Sequence, residues 1–232
     1  MKLHQVLTIN GQAVPLVQSE VRLDLRTPGR ASFTIKAPAA EPVRGLVALD
    51  IGYNDRPLQR HFLGYVERCS AANATEQVLF CRELAAVLAQ PLPMGLRHVD
   101  LREVLEDVCR QTGLSFRVPD ADYSRTKAPY FYSLAAGYQA MDSLAQVFQI
   151  PDFVWHQQGN GEVYAGSWTD SYWGARAPIQ LEAELFDSYQ GRQSAVIAAL
   201  PGIRPGATIN QGERITSVTL TGTQMAIKWK KP

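Results

Sequence analysis

Over the first eighty residues, apolar and polar positions alternate in short runs. Val21, Leu23 and Leu25 alternate with Arg22, Asp24 and Arg26, the period-2 pattern of a strand with one buried face. Leu3 to Ile9 reads as a strand, Asn10-Gly11 as the turn of a two-residue hairpin, and Val14 to Val17 as the return strand. Pro28-Gly29 turns the chain into 31–36, and 46–53, 59–69 and 76–82 complete the set. Six or seven short strands with turns between them imply a small antiparallel barrel or sandwich.

The period then changes. Residues 82–90 (RELAAVLAQ) have helical composition, and Pro91, Pro93 and Gly95 end the run. Asp100 and Glu103 stand at capping-box spacing, with Leu101, Val104, Leu105 and Val108 behind them on one helical face and Gly113 as the stop. A third helix is expected over 138–150, with Met141, Leu144, Ala145 and Phe148 as its apolar stripe and Pro151 closing it. Between the two longer helices lies an aromatic stretch, Tyr130-Phe131-Tyr132, read as irregular.

Strand patterns return near residue 152. Phe153 to His156, the Gly159-Asn160-Gly161 turn and 162–168 form a hairpin. Residues 179–183 read as extended, 185–191 fit either state, and 194–200 favour strand. Pro201, Gly202, Pro205 and Gly206 make a stiff connector before a last hairpin over 214–222 and 223–229. The expected fold class is α+β, mainly β. It has two small antiparallel barrel-like lobes, 1–82 and 152–232, with a helical insert over 83–151.

Composition narrows the function. The 232 residues allow one large domain or two small ones, and 46% hydrophobic content argues against disorder. The charged share is only 19% and the net charge +1, which excludes a strongly basic nucleic-acid binder and suits surface committed to protein contacts. Cys69, Cys81 and Cys109 form neither a disulfide framework nor a zinc motif, and read as mostly buried free thiols. No apolar run near the N-terminus reads as a signal peptide, and none is long enough to span a bilayer.

Catalytic signatures are missing. Gly202 to Gly206 lacks the Lys-Ser/Thr of a phosphate loop. His4, His61, His98 and His156 are scattered and read as ordinary surface or hydrogen-bonded histidines; pairing His61 with Cys69 or Cys81 as a nucleophile would need a fold contact. Glu103, Glu106 and Asp107 look like the solvated face of one helix, and Glu182, Glu184 and Asp187 lack an aromatic cleft. Asp170 lies in Trp168-Thr169-Asp170-Ser171-Tyr172-Trp173, where the aromatics either pack at a boundary or stack a ligand. Lys228, Lys230 and Lys231 form a small basic tip. No residue is assigned a catalytic, cofactor-binding or metal-binding role.

Four stretches nevertheless recur as a set. They are Phe62-Leu63-Gly64-Tyr65-Val66; Phe80-Cys81-Arg82-Glu83-Leu84; the capped helix from Leu101 with 138–150 and Phe153-Val154-Trp155; and Leu200-Pro201-Gly202-Ile203-Arg204-Pro205-Gly206 before a hairpin ending Met225-Ala226-Ile227-Lys228-Trp229. In this order the chain resembles the baseplate hub proteins of contractile-tailed, Mu-like phages, and the hub portion of type VI secretion spike proteins.

The resemblance implies a non-enzymatic structural subunit of the virion tail baseplate, assembled in the host cytoplasm. It implies a homotrimeric ring with pseudo-sixfold symmetry, joining the sixfold tail tube (or a distal tail protein) to a threefold central spike. Other baseplate proteins would be further partners, and DNA would pass through the channel without specific binding. Because the sequence ends at Pro232, the spike is expected to be a separate protein, and no direct membrane insertion is expected. The alternatives are a cell-wall hydrolase acting near Trp168 to Trp173, or a barrel module that binds oligomers.

Overall fold

The computed structural model describes residues 2–38, 41–54, 56–191 and 193–231. Met1 and Pro232, the ends on which the signal-peptide and spike expectations lean, lie outside the described residues, as does the side chain of Asp187. In chain order the elements are β1 (Leu3–Ile9), β2 (Gln12–Val14), β3 (Leu16–Asp24), β4 (Arg30–Lys36), β5 (Leu46–Tyr53), β6 (Gln59–Ala71), β7 (Glu76–Glu83), β8 (Met94–Val99), α1 (Leu101–Thr112), β9 (Phe116–Arg117), α2 (Asp122–Arg125), β10 (Ala128–Ser133), α3 (Gly137–Val147), β11 (Phe153–Gln157), β12 (Val163–Ser167), β13 (Phe186–Gly191), β14 (Ser194–Ala198), β15 (Thr208–Ile209), β16 (Glu213–Thr221) and β17 (Gln224–Lys230). The fold is α+β and mainly β, as the sequence predicts.

The chain divides into two compact units, Met1–Glu83 with Ala177–Pro232, and Leu84–Arg176. The first unit holds a twelve-stranded sheet in the order β13-β14-β17-β16-β3-β4-β7-β6-β5-β1-β2, with β15 on β16. Its register follows from alternation. Val21, Leu23, Phe33, Ile35, Leu79 and Cys81 all point to one face and are buried there, which removes apolar area from water at about 25 cal/mol per Å². The return strand expected over 14–17 is broken at Pro15, which carries no N–H for the ladder: β2 stops at Val14, and β3 begins at Leu16 and runs through Val21 and Leu23.

The second unit has its own core, in which α1 and α3 pack Leu101, Val104, Leu105, Val108, Met141, Leu144 and Phe148 against Trp155, Val163 and Ala165. The capping box is present as read. The Asp100 side chain accepts from the Glu103 N–H at 3.0 Å, Glu103 accepts from the Asp100 N–H at 2.9 Å, and Gly113 is the left-handed C-cap. The expected boundary at 151/152 falls inside this unit, because β12 pairs with β9 in parallel and so ties the 153–167 hairpin to the helices.

Three local expectations are corrected. The helix over 82–90 is instead strand to Glu83 and then a 3₁₀ segment, Leu84–Ala89; cross-strand pairing of Arg82 with Tyr65 and Arg30, and of Glu83 with Gly64, holds those residues extended. The aromatic stretch Tyr130-Phe131-Tyr132 is not irregular but lies in β10, paired antiparallel with β8. Residues 179–183 are not one extended run: Ile179 makes a single bridge to Ile209, and Ala183–Leu185 is a 3₁₀ turn. Among the described residues no helix is long and apolar enough to cross a membrane.

Candidate functional site

Three of the four recurring stretches converge inside the first unit. β6 carries a β-bulge: Leu49 pairs with Phe62 and Asp50 with Arg60, leaving His61 as the extra residue. A bulge re-aims side chains, and here His61 and Phe62 are both buried although they are consecutive. The His61 carbonyl, freed from the ladder, accepts from Arg204 Nη1 at 2.7 Å. Arg204 Nη2 meets Glu83 Oε1 at 3.0 Å, and Glu83 Oε2 accepts from the Gly29 N–H at 2.6 Å. Arg204 therefore crosslinks β6, the end of β7 and the turn that precedes β16.

That turn is itself fixed by hydrogen bonds. The Gly206 N–H donates to Ile215 O at 2.8 Å, and Ile215 N–H returns to Ala207 O at 2.8 Å. Gly206 has φ +95°, a region an L-side chain rarely enters, which explains a glycine after Arg204-Pro205. Gly64, opposite Glu83 on β6, has a different reason: a Cβ there would press into the Arg82 carbonyl oxygen.

The electrostatics are those of a sealed pair. Glu83 shows 4% side-chain exposure and Arg204 13%. Burial pushes the Glu83 carboxyl up, and the adjacent Arg204 opposes this. Burial likewise pulls Arg204 down, against the support of Glu83. His61 is lowered to about 3 by burial first and by the Arg204 charge second, so it is neutral at physiological pH. Neither of its ring nitrogens has a hydrogen-bond partner among the described residues, which corrects the reading of His61 as an ordinary surface or hydrogen-bonded histidine. Perturbed groups of this kind occur in active sites and in structural ion-pair networks alike. With Glu83 buried and Arg204 mostly so, the arrangement acts as a structural clamp.

The remaining sequence candidates are dispersed. Cys81 is buried and its thiol is pushed up to about 12 by burial and then by Cys69, which removes the thiolate a nucleophile needs; Cys69 donates to Gln77, and Cys109 is exposed rather than buried. Glu106 is exposed, Asp107 pairs with Arg110, and Glu182 and Glu184 are exposed. Asp170 accepts from the Tyr123 hydroxyl at 2.7 Å, and Tyr123 in turn accepts from the Ser167 N–H at 3.0 Å. Tyr172 stays exposed, with one ring face covered by the Arg176 guanidinium at 3.8 Å and a T-shaped contact to Trp173. Lys228, Lys230 and Lys231 are exposed.

The overall fold of the chain is shared with solved prophage tail proteins. The chain is similar to the 43 kDa tail protein of prophage MuSo2 from Shewanella oneidensis, with a TM-score of 0.72 and 10% identity over 100% of this chain and 98% of that one. It is similar to a tail protein from Neisseria meningitidis MC58, with a TM-score of 0.69 and 9% identity over 100% and 97%. A third neighbour is the E. coli c3393 protein, a component of the type VI secretion system with structural similarity to the T4 tail proteins gp27 and gp5; the TM-score is 0.60, with 12% identity over 97% and 76%.

Among curated proteins the chain is 31% identical, over 222 residues, to an uncharacterized 58.7 kDa protein in the lys 3′ region of Haemophilus phage HP1. That match takes in 96% of this chain but spans 41% of the relative's length. No protein-family model matches the chain. The fold of these neighbours is the one implied by the motif resemblance.

Proposed function

We propose that the chain is a structural baseplate hub subunit of a phage or phage-like contractile tail, and not an enzyme. The observation that carries this reading is fold similarity over the full length, 100% of this chain against 98% of the MuSo2 tail protein. The phage origin of the curated relative supports it. In this reading three copies close into a ring within the virion baseplate. The β-rich segments, from 1–82 and from the C-terminal part of 152–232, supply two lobes per copy. Six lobes meet the tail tube or a distal tail protein, the threefold face receives the spike, and other baseplate proteins pack around it. DNA passes through without specific binding. Heterologous contacts of this kind must close, and they cover sheet edges such as β2 and β13 that the isolated chain leaves at the ends of its ladder.

Mass photometry of the purified chain, alone and with tail-tube protein, tests the ring. The reading expects a species of three subunits. A monomer that persists with tube protein present overturns it.

A further inference from the structure

On the outer face of the large sheet three arginines stand abreast. Arg22 on β3 is directly opposite Arg30 on β4, and Arg30 is directly opposite Arg82 on β7. Residues directly opposite in antiparallel strands project to the same side, and Val21, Leu23, Phe33 and Cys81 occupy the other side, in the core. Among the described residues only Arg22 has its charge answered, by Asp24 at 2.9 and 3.3 Å. Arg30 is exposed and makes no ion pair among the described residues. The Nε of Arg82 is shielded from solvent with no hydrogen-bond partner among them. Like charges directly opposite in a sheet are destabilising, so the fold retains a row that works against it.

We propose that this row binds the carboxylates of an acidic helix on a partner protein. The guanidinium fork matches a carboxylate through two parallel hydrogen bonds. Neighbouring strands lie about 4.7–4.9 Å apart, close to the roughly 5–6 Å between side chains four residues apart on a helix. A helix laid across the strands therefore sets successive carboxylates over successive arginines. Nucleic acid is the poorer fit: the row spans three strands only, and the chain's net charge is +1, where a phosphate-tracking protein is broadly basic. The inference concerns this sheet alone and does not rest on the tail-hub reading.

The test is titration of the isotope-labelled full chain at low salt, followed by NMR. The probes are a helical alanine-based peptide with glutamates at i, i+4 and i+8, its glutamine counterpart, and a short single-stranded oligonucleotide. The proposal expects shifts confined to β3, β4 and β7 with the glutamate peptide, none with the glutamine peptide, and binding about tenfold weaker in Arg30→Gln. It also expects Arg30→Gln without peptide to melt higher than the parent at low salt. Absent or scattered shifts, equal binding of the glutamine peptide, or full binding by Arg30→Gln overturns it. Tighter binding of the oligonucleotide at the same residues overturns it in favour of nucleic acid.

Discussion

The first unit keeps Glu83 and Arg204 out of water, whereas the second leaves Asp100, Glu103 and Lys127 near its surface. Chemically the two clusters are alike, carboxylates against one cation at 2.6–3.0 Å. Lys127 shows 37% side-chain exposure and Glu103 45%, against 13% and 4% in the buried pair. Water can replace any partner in the exposed cluster, whose role is local: Asp100 and Glu103 close the first turn of α1, and Lys127 holds Glu103 below the usual carboxylate range. In the buried pair nothing replaces a lost partner, and the residues joined lie 121 positions apart. Burial, more than charge, decides which cluster organises the fold.

The comparison breaks most directly at Arg204. Arg204→Met leaves Glu83 buried without its cation and is expected to cost about 3–5 kcal/mol in urea unfolding. The double variant Glu83→Leu with Arg204→Met is expected to recover most of that loss, because replacing both charges removes the desolvation penalty along with the attraction. A small effect of the single variant would place this pair in the same category as the exposed cluster.

His61 gives the next effect, through acid. Its folded pKa, about 3, lies below the unfolded value of about 6.5, so between these values the unfolded chain binds the extra proton. The stabilisation is complete above about pH 6.5 and is lost as pH falls toward 3, at no more than about 1.4 kcal/mol per pH unit. Glu83, raised by burial, contributes with the opposite sign, gaining stability as pH falls through its folded pKa. Comparing pH-dependent stability of the parent and His61→Phe isolates the histidine: the variant is expected to lose the acid-side slope.

Gly206→Val forces a β-branched residue to φ +95° beneath Arg204 and is expected to cost about 1–3 kcal/mol, read as a lowered urea midpoint. Asp100→Ala, the counterpart in the exposed cluster, removes one cap and is expected to cost about 1 kcal/mol by the same measurement.

Legibility in the sequence tracks distance along the chain. The alternation through Val21 and Leu23 and the Asp100/Glu103 spacing were readable because each is settled within a few residues. The 3₁₀ segment after Glu83 was not, since RELAAVLAQ has helical composition and only the pairing of Arg82 and Glu83 keeps the strand going. β10 was hidden because exposed Tyr130 and Tyr132, beside Pro129, carry no buried stripe on that face, and its partner β8 lies before α1. The clamp was legible only as separate motifs. The sequence marks Glu83 and Arg204 but not their contact, and the His61 bulge shows only as two consecutive buried residues where alternation would expose one.

The proposed role gives the chain a place in a tail. Cryo-electron microscopy of assembled particles carrying a labelled copy of this chain tests it most directly. Three labels in a ring at the distal end of the tail tube are expected. Labels repeated along the tube, or particles that assemble fully without the chain, would contradict it.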